Sequence, residues 1–337
     1  MELTPPTARA ARCEAFAGLK PGEGYACSPL HAPPTVWVEK NCYIDIWIEV
    51  LQGLQLDPWP LMAFTLAIDF EGDQWTFFKP PHNELYELYG LDVQELNIWR
   101  PLAEHALEHL AAGKLVSTEA DAFWLPDTAG TDYRRQHTKT TIGLTEVDFD
   151  AGFAHYFHNA GFFRVEGEDF RQLFRLDAAP DEWSLPLFAE VVRTDRVVHR
   201  PAHELAPMAR ASLARHLARR PEANPVQRFA GRWAADLPLL QARGLPHYHA
   251  WAFSTLRQLG AGMELAAGHL RWLQAHTGMS LEAASASFEL IGSHSKTLIL
   301  KGARSVMLGK PLDASALLDD MAAAWQRGMD ALVSNAG

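Results

Sequence analysis

Cysteine is scarce in this chain of 337 residues: three are present, Cys13, Cys27 and Cys42. The number is odd and the spacings match no metal-binding pattern, which excludes a disulfide scaffold and a cysteine zinc knuckle. Long apolar runs are also missing. The first 18 residues hold no secretory core, and no uninterrupted apolar stretch approaches the roughly 20 residues that span a bilayer. A soluble cytoplasmic protein with no membrane partner is expected. Positive charge is in deficit, with a net charge of −11 at pH 7, which argues against a general nucleic-acid partner. Gly260-Ala261-Gly262 is followed by no Gly-Lys-Ser and preceded by no strand, and no G-x-S-x-G elbow occurs. Phosphate loops, dinucleotide loops and the serine-hydrolase elbow are therefore absent as motifs.

What remains is an ordinary globular composition, 48% hydrophobic and 21% charged, with 11 tryptophans and 17 phenylalanines for an aromatic core. The length suits one large domain or two ordinary ones. Residues 1–34 hold prolines and glycines without a period and read as an irregular lead-in. Residues 35–195 alternate short apolar stretches with turn signals. Strands are expected at 36–38, 63–70, 74–78, 93–99, 115–123, 138–144, 154–157, 161–165 and 187–194, with helices at 82–89, 102–112 and 168–174. From about Pro201 alanine, leucine and arginine dominate, and helical periodicity runs to the C-terminal end. The expected class is α+β, with an α+β domain over 35–195 and an all-helical domain over 196–337.

The stretch from Glu39 to Gly53 reads as a helix with a cysteine in its first turn. Asn41 suits the N-cap, Asp45 suits the positive end of the dipole, and Gly53 suits the terminator. Ile44, Trp47, Ile48 and Leu51 form one apolar stripe, while Tyr43, Ile46 and Val50 fill most of the other side. Such a helix is buried, but its N-terminus has to meet solvent. Cys42 sits there, where backbone N–H groups favour the thiolate that attacks carbonyls. The competing reading of Cys42 is a small buried apolar residue.

A cysteine nucleophile needs a base, and the base needs an orienting group. Among 15 histidines His137 is distinguished by position: it enters a strand directly after the polar loop 126–135. One strand later, His158 and Asn159 stand at the end of an aromatic strand and are placed to orient His137. The order Cys42, His137, Asn159 is that of papain-like thiol enzymes. The oxyanion would be held by the Cys42 backbone N–H, helped by Asn41 or Gln74, and Asp121 and His158 are candidate site-lining residues. For each of these a structural duty, as cap, turn or backbone acceptor, is the alternative.

Residues 35–174 resemble the papain-like thiol acyltransferase domain of the butirosin biosynthesis protein H type. The resemblance rests on helix-borne Cys42, on Asp121-Ala122-Phe123-Trp124-Leu125-Pro126 for D-x-x-x-L-P, on Tyr133, and on His137 to Gly143 for H-x-x-x-x-x-G. Where that family has a strand-ending Asp, this chain has His158-Asn159. The runs DFEGDQWTFFK (69–79), YGLDVQELN (89–97) and HTKTTIGL (137–144) further resemble a bacterial family encoded beside amino acid:carrier-protein ligases and small acyl carrier proteins. The resemblance implies a papain-like domain and a transferase with no cofactor of its own, which moves an acyl or aminoacyl group from the phosphopantetheine thioester of a carrier protein, through S-acyl-Cys42, to an amine or other small-molecule acceptor. Alternatives are a thioesterase or amidase that uses water, and an idle carrier-binding adaptor.

Charge is unevenly spread. From Arg196 to Trp233 eight arginines face two acids, Glu204 and Glu222, a local balance of +6. Arg210, Arg215, Arg219 and Arg220 are the expected docking surface for an acidic carrier, against the alternative of a solvated helix face. Arg134-Arg135 is either a solvated loop pair or an anion contact. His155 with His158, His247 with His249, and His294 lack carboxylates at ligand spacing, so no metal is expected.

Overall fold

The structure is a computed structural model that describes residues 9–177 and 188–336. Residues 1–8 of the lead-in and Leu187, the first residue of the last expected strand, lie outside the described residues. The chain forms two compact units: one of residues 1–32, 42–57 and 85–199, the other of residues 33–41, 58–84 and 200–337.

The first unit is mixed α+β. In chain order it contains β1 (Ala10–Arg12), α1 (Cys42–Gly53), the C-terminal part of α2 (His82–Tyr89), β2 (Asp92–Glu95), α3 (Leu102–Ala111), β3 (Lys114–Asp121), β4 (Lys139–Asp148), β5 (Phe153–His158), β6 (Gly161–Glu166), α4 (Gly167–Leu173) and β7 (Ala189–Arg193). The strands form one antiparallel sheet in the order β2-β7-β3-β4-β5-β6, with β1 added to the far end of β4. Polar residues alternate with apolar ones on the outer strands, as a sheet with one covered face requires.

Helix α1 covers the centre of that sheet. Tyr43 through Leu51 are all buried, as expected for a helix apolar on nearly every side. Each of Ile44, Trp47, Ile48 and Leu51 contributes about 1.5–3 kcal/mol by leaving water. The close approach is made possible at Gly143 of β4, where an added Cβ would stand 3.2 Å from Ile46 Cγ2.

The second unit is helical: a 3₁₀ helix over Trp59–Ala67, then α5 (Ala202–Leu217), α6 (Pro225–Arg243), α7 (Leu245–Ala252), a π-turn at Phe253–Arg257, α8 (Gln258–Thr277), α9 (Glu282–Leu308) and α10 (Ser315–Ala336). Asn224 caps α6 by accepting from the backbone N–H groups of Val226 and Gln227, at 3.1 and 3.3 Å. Helix α9 packs on α8, α10, α7 and α6, and α8 also packs on the 59–67 segment. Leu240, Tyr248, Ala252 and Val306 close one part of the core.

Three expected strands are absent; of residues 74–78 only Trp75 forms a bridge, with Phe70. Residues 63–70 lie largely in the 3₁₀ helix, because an unbroken apolar run has no period to separate strand from buried helix. Residues 36–38 join no ladder; the N–H groups of Val36 and Trp37 donate instead to the Glu264 carboxylate at 2.7 and 3.1 Å. No described helix is long and apolar enough to cross a membrane.

Candidate functional site

Cys42 is the first residue of α1 and is partly exposed. The N–H groups of a first helical turn have no carbonyl partner within the helix, and the dipole adds partial positive charge there. The Cys42 Sγ lies 3.7 Å from the Thr141 hydroxyl of β4. Among the described residues no imidazole is within hydrogen-bond reach of it.

His137 immediately precedes β4. Its Nδ1 lies 2.6 Å from Asp121 Oδ2, at the end of β3. The ring stacks on Phe123, with centroids 4.4 Å apart and planes at 16°. Asp121 also accepts from the Phe123 backbone N–H at 3.1 Å, so one carboxylate fixes both the turn and the imidazole. With Nδ1–H donating to Asp121, Nε2 keeps its lone pair on an exposed ring, the arrangement a general base needs.

The strand register relates the two residues. Thr141 is directly opposite Glu119, and Lys139 is directly opposite Asp121. Opposed residues of an antiparallel pair share a face, as do residues two apart on one strand. Cys42 (through Thr141) and His137 (through Asp121) therefore meet the same face at the same end of the β3–β4 ladder. They are two residues apart along it, about 7 Å of strand. The ion pair Glu119–Lys139 spans that interval at 3.2 Å.

The loop 126–136 is pinned at this end of the ladder. Asp132 accepts from Thr138 Oγ1 and Gln136 Nε2, both at 2.7 Å. Its carboxyl is held below the usual range by hydrogen bonds from Thr131, Thr138 and Gln136, although partial burial, the largest influence, pushes the other way. Arg134 sits 4.5 Å from the Trp124 ring centre and pairs with Asp169, which also accepts from Tyr133 at 2.8 Å.

His158 and Asn159 are placed differently from the expectation. His158 is buried, with Nδ1 at 2.5 Å from Asp127 and Nε2 at 2.8 Å from Thr140 Oγ1. Thr140 and Thr141 are consecutive on a strand and point to opposite faces, so His158 serves the face opposite Cys42. Asn159 forms the β5–β6 turn with φ +44°, and among the described residues its side chain makes no hydrogen bond. The carboxylate that bonds His137 is thus Asp121.

In the helical unit, the buried Asn41 amide donates to the Phe78 carbonyl at 3.1 Å and to Gln258 Oε1 at 3.3 Å. Gln74 lies in an exposed turn. Arg210 and Arg219 are exposed, Arg215 pairs with buried Glu84 at 3.1 Å, and Arg220 donates to the Leu217 carbonyl at 2.7 Å.

A second ionic cluster lies on α1 itself. Asp45 and Glu49 are fully buried, and His31 is clamped between them, with Nε2 at 3.0 Å from Asp45 and Nδ1 on Glu49. Glu49 also accepts from Tyr25 Oη at 2.6 Å and from the Ser28 backbone at 3.0 Å. Burial and the neighbouring Glu49 charge push the Tyr25 phenol up. Beyond α1, Tyr43 donates to buried Glu190 of β7 at 2.8 Å. Two carboxylates four residues apart on an all-round apolar helix must be buried and need partners, but which residues those partners are is set by the fold. Among the described residues no group of three or more His, Cys, Asp or Glu side chains is arranged to hold a metal ion.

Residues 26–194 match the family model described as the DUF1839 N-terminal domain, and residues 202–334 match its C-terminal domain. No curated protein matches the chain.

Proposed function

The chain belongs to the DUF1839 family, and we propose that it is a cysteine-dependent acyltransferase that takes an acyl or aminoacyl group from the phosphopantetheine thioester of a carrier protein. The observation that carries this reading is the shared sheet face: a partly exposed thiol at a helix N-terminus and an exposed His–Asp pair two rungs along the same ladder. The resemblance of residues 35–174 to papain-like thiol acyltransferases supports the same chemistry.

In the first step the Cys42 proton passes to His137 Nε2, through a bridging water or after the 122–138 loop closes the two-rung interval. The thiolate attacks the thioester carbonyl, and the Cys42 backbone N–H at the start of α1 stabilises the oxyanion. The carbon–sulfur bond to phosphopantetheine breaks, that sulfur takes the proton from His137, and S-acyl-Cys42 remains. An acceptor amine then attacks the acyl carbon and gives a proton to His137, which passes it to the departing Cys42 sulfur and so restores the thiol. With water as acceptor the products are the free acid and the thiol.

The test is intact-mass analysis after mixing with acyl-loaded carrier protein. An adduct of the acyl mass on wild type, absent from Cys42→Ala and slow to form in His137→Ala, is expected. A second reading is favoured by one observation, that Cys42 bonds Thr141 rather than an imidazole: the protein binds a carrier without reacting. An unmodified Cys42 in a complex that forms normally would establish that reading and end the first.

A further inference from the structure

The C-terminal half of α9 presents an unusual face. Leu300, Met307 and Leu308 are 64%, 65% and 48% exposed. At 100° per residue, Lys296, Met307, Leu300, Arg304, Leu308 and Lys301 fall in that order within an arc of about 140°. The opposite side, with Ile291, Ser295, Leu298, Gly302 and Val306, is buried. Single exposed apolar residues are ordinary, but three on one arc mark a contact surface.

The charge around them has one sign. From Leu290 to Leu312 the chain carries Lys296, Lys301, Arg304 and Lys310 and no acid, a balance of +4 in a chain of net −11. Lys296 lies 4.9 Å from the Trp37 ring centre. Among the described residues no carboxylate lies within ion-pairing distance of Lys301, Arg304 or Lys310. The arginine-rich segment differs: Arg215, Arg228 and Arg232 are paired with Glu84, Asp69 and Asp236. Arg210 of α5 and Arg219 just after it are also exposed, but α5 has no exposed large apolar side chain beside them, whereas Lys301 and Arg304 of α9 stand among Leu300, Met307 and Leu308.

We propose that this face of α9 docks an acidic protein that sets carboxylates around an apolar contact, and that this partner is the carrier protein; its identity rests on the function proposed above. Exposed Met and Arg suit such an interface, and opposite charge steers the encounter. A second copy that paired this same face with itself would bring like charges together. An anionic membrane is less well matched, because Arg304 stands between Leu300 and Leu308, whereas interfacial helices segregate a broad apolar sector with large aromatic residues.

The experiment is a titration of unloaded, phosphopantetheine-bearing acidic carrier protein against wild type, Lys301→Glu/Arg304→Glu, Leu300→Ser/Met307→Ser, and Arg210→Glu/Arg219→Glu, at low and moderate salt. Both α9 variants should weaken binding by about tenfold or more, and the charge variant should flatten its salt dependence. The α5 variant should bind like wild type. Equal binding by wild type and the α9 variants, or loss only with the α5 variant, overturns the proposal. So does flotation of the wild type with phosphatidylglycerol vesicles that the α9 variants abolish, or a wild-type dimer that they dissociate. Acylation of Cys42 by a small acyl-pantetheine thioester is measured in parallel. Its persistence in every variant keeps a docking failure separate from a failure of the proposed chemistry.

Discussion

Burial keeps Cys13 protonated, and burial together with the Glu49 charge does the same for Cys27. Cys42 is partly exposed at the start of α1. Site-resolved alkylation at neutral pH should therefore label Cys42 first, with Cys13 and Cys27 lagging in the folded protein and catching up in urea. Labelling of Cys27 ahead of Cys42 would remove the basis for a nucleophile. The same scale separates Asp121 from Asn159. Asp121→Asn should slow formation of S-acyl-Cys42 by about 10²-fold in single-turnover assays, since acid–base catalysis is worth at least that much. Asn159→Gly should leave the rate unchanged, because the turn asks only for a residue that accepts φ +44°. The reverse ranking would return the orienting role to Asn159. The sequence showed His137 because a polar loop running into a strand is visible in one dimension. It did not show which carboxylate meets it, because that depends on the β3–β4 register. In the fold Asn159-Ala160 is the two-residue turn between β5 and β6, a duty that competes with orienting a base.

At the scale of elements, α1 was legible almost whole, since its stripe and all-round apolarity required a buried helix and the structure buries Tyr43 through Leu51. Its polar side was not. His31, Asp45 and Glu49 come from a lead-in without periodicity and from a helix, and only the fold joins them. The cluster ties the lead-in to α1 by charge. Removing one partner from a buried ion pair usually costs about 3–5 kcal/mol, because the remaining charge keeps its desolvation penalty. His31→Ala should accordingly lower the urea midpoint by that equivalent with an unchanged m-value. A loss below about 1 kcal/mol would mean that the two carboxylates are neutral or rehydrated without His31. The 59–67 segment shows the converse case. Its apolarity was plain, but a run without period is equally strand-like and helix-like, and its partners on α8 lie two hundred residues away, as with Trp59, whose carbonyl accepts from His269 at 2.8 Å.

Across the whole molecule, the change of character near Pro201 marked the start of the helices, yet the helical unit also takes residues 33–41 and 58–84 from the earlier half. Composition along the chain cannot show where a segment docks. One such return has a thermodynamic signature. His269 of α8 is wholly buried, and its Nδ1–H donates to the Trp59 carbonyl. Burial outweighs that bond and lowers its pKa to about 4, while in the unfolded chain it titrates near the ordinary ~6.5. The sign follows directly. Above pH ~6.5 both states hold a neutral imidazole and the stability is complete. As pH falls below that value the unfolded chain takes up a proton that the folded chain refuses, so stability declines until the folded pKa is reached. Between pH 7 and 5, before most carboxylates titrate, the loss assignable to His269 is about 2 kcal/mol. His269→Gln should be less stable than wild type at pH 7, but its deficit should shrink by that amount at pH 5, measured by urea unfolding at each pH. A deficit that stays constant across the interval would mean that His269 is as easily protonated in the folded unit as in the open chain.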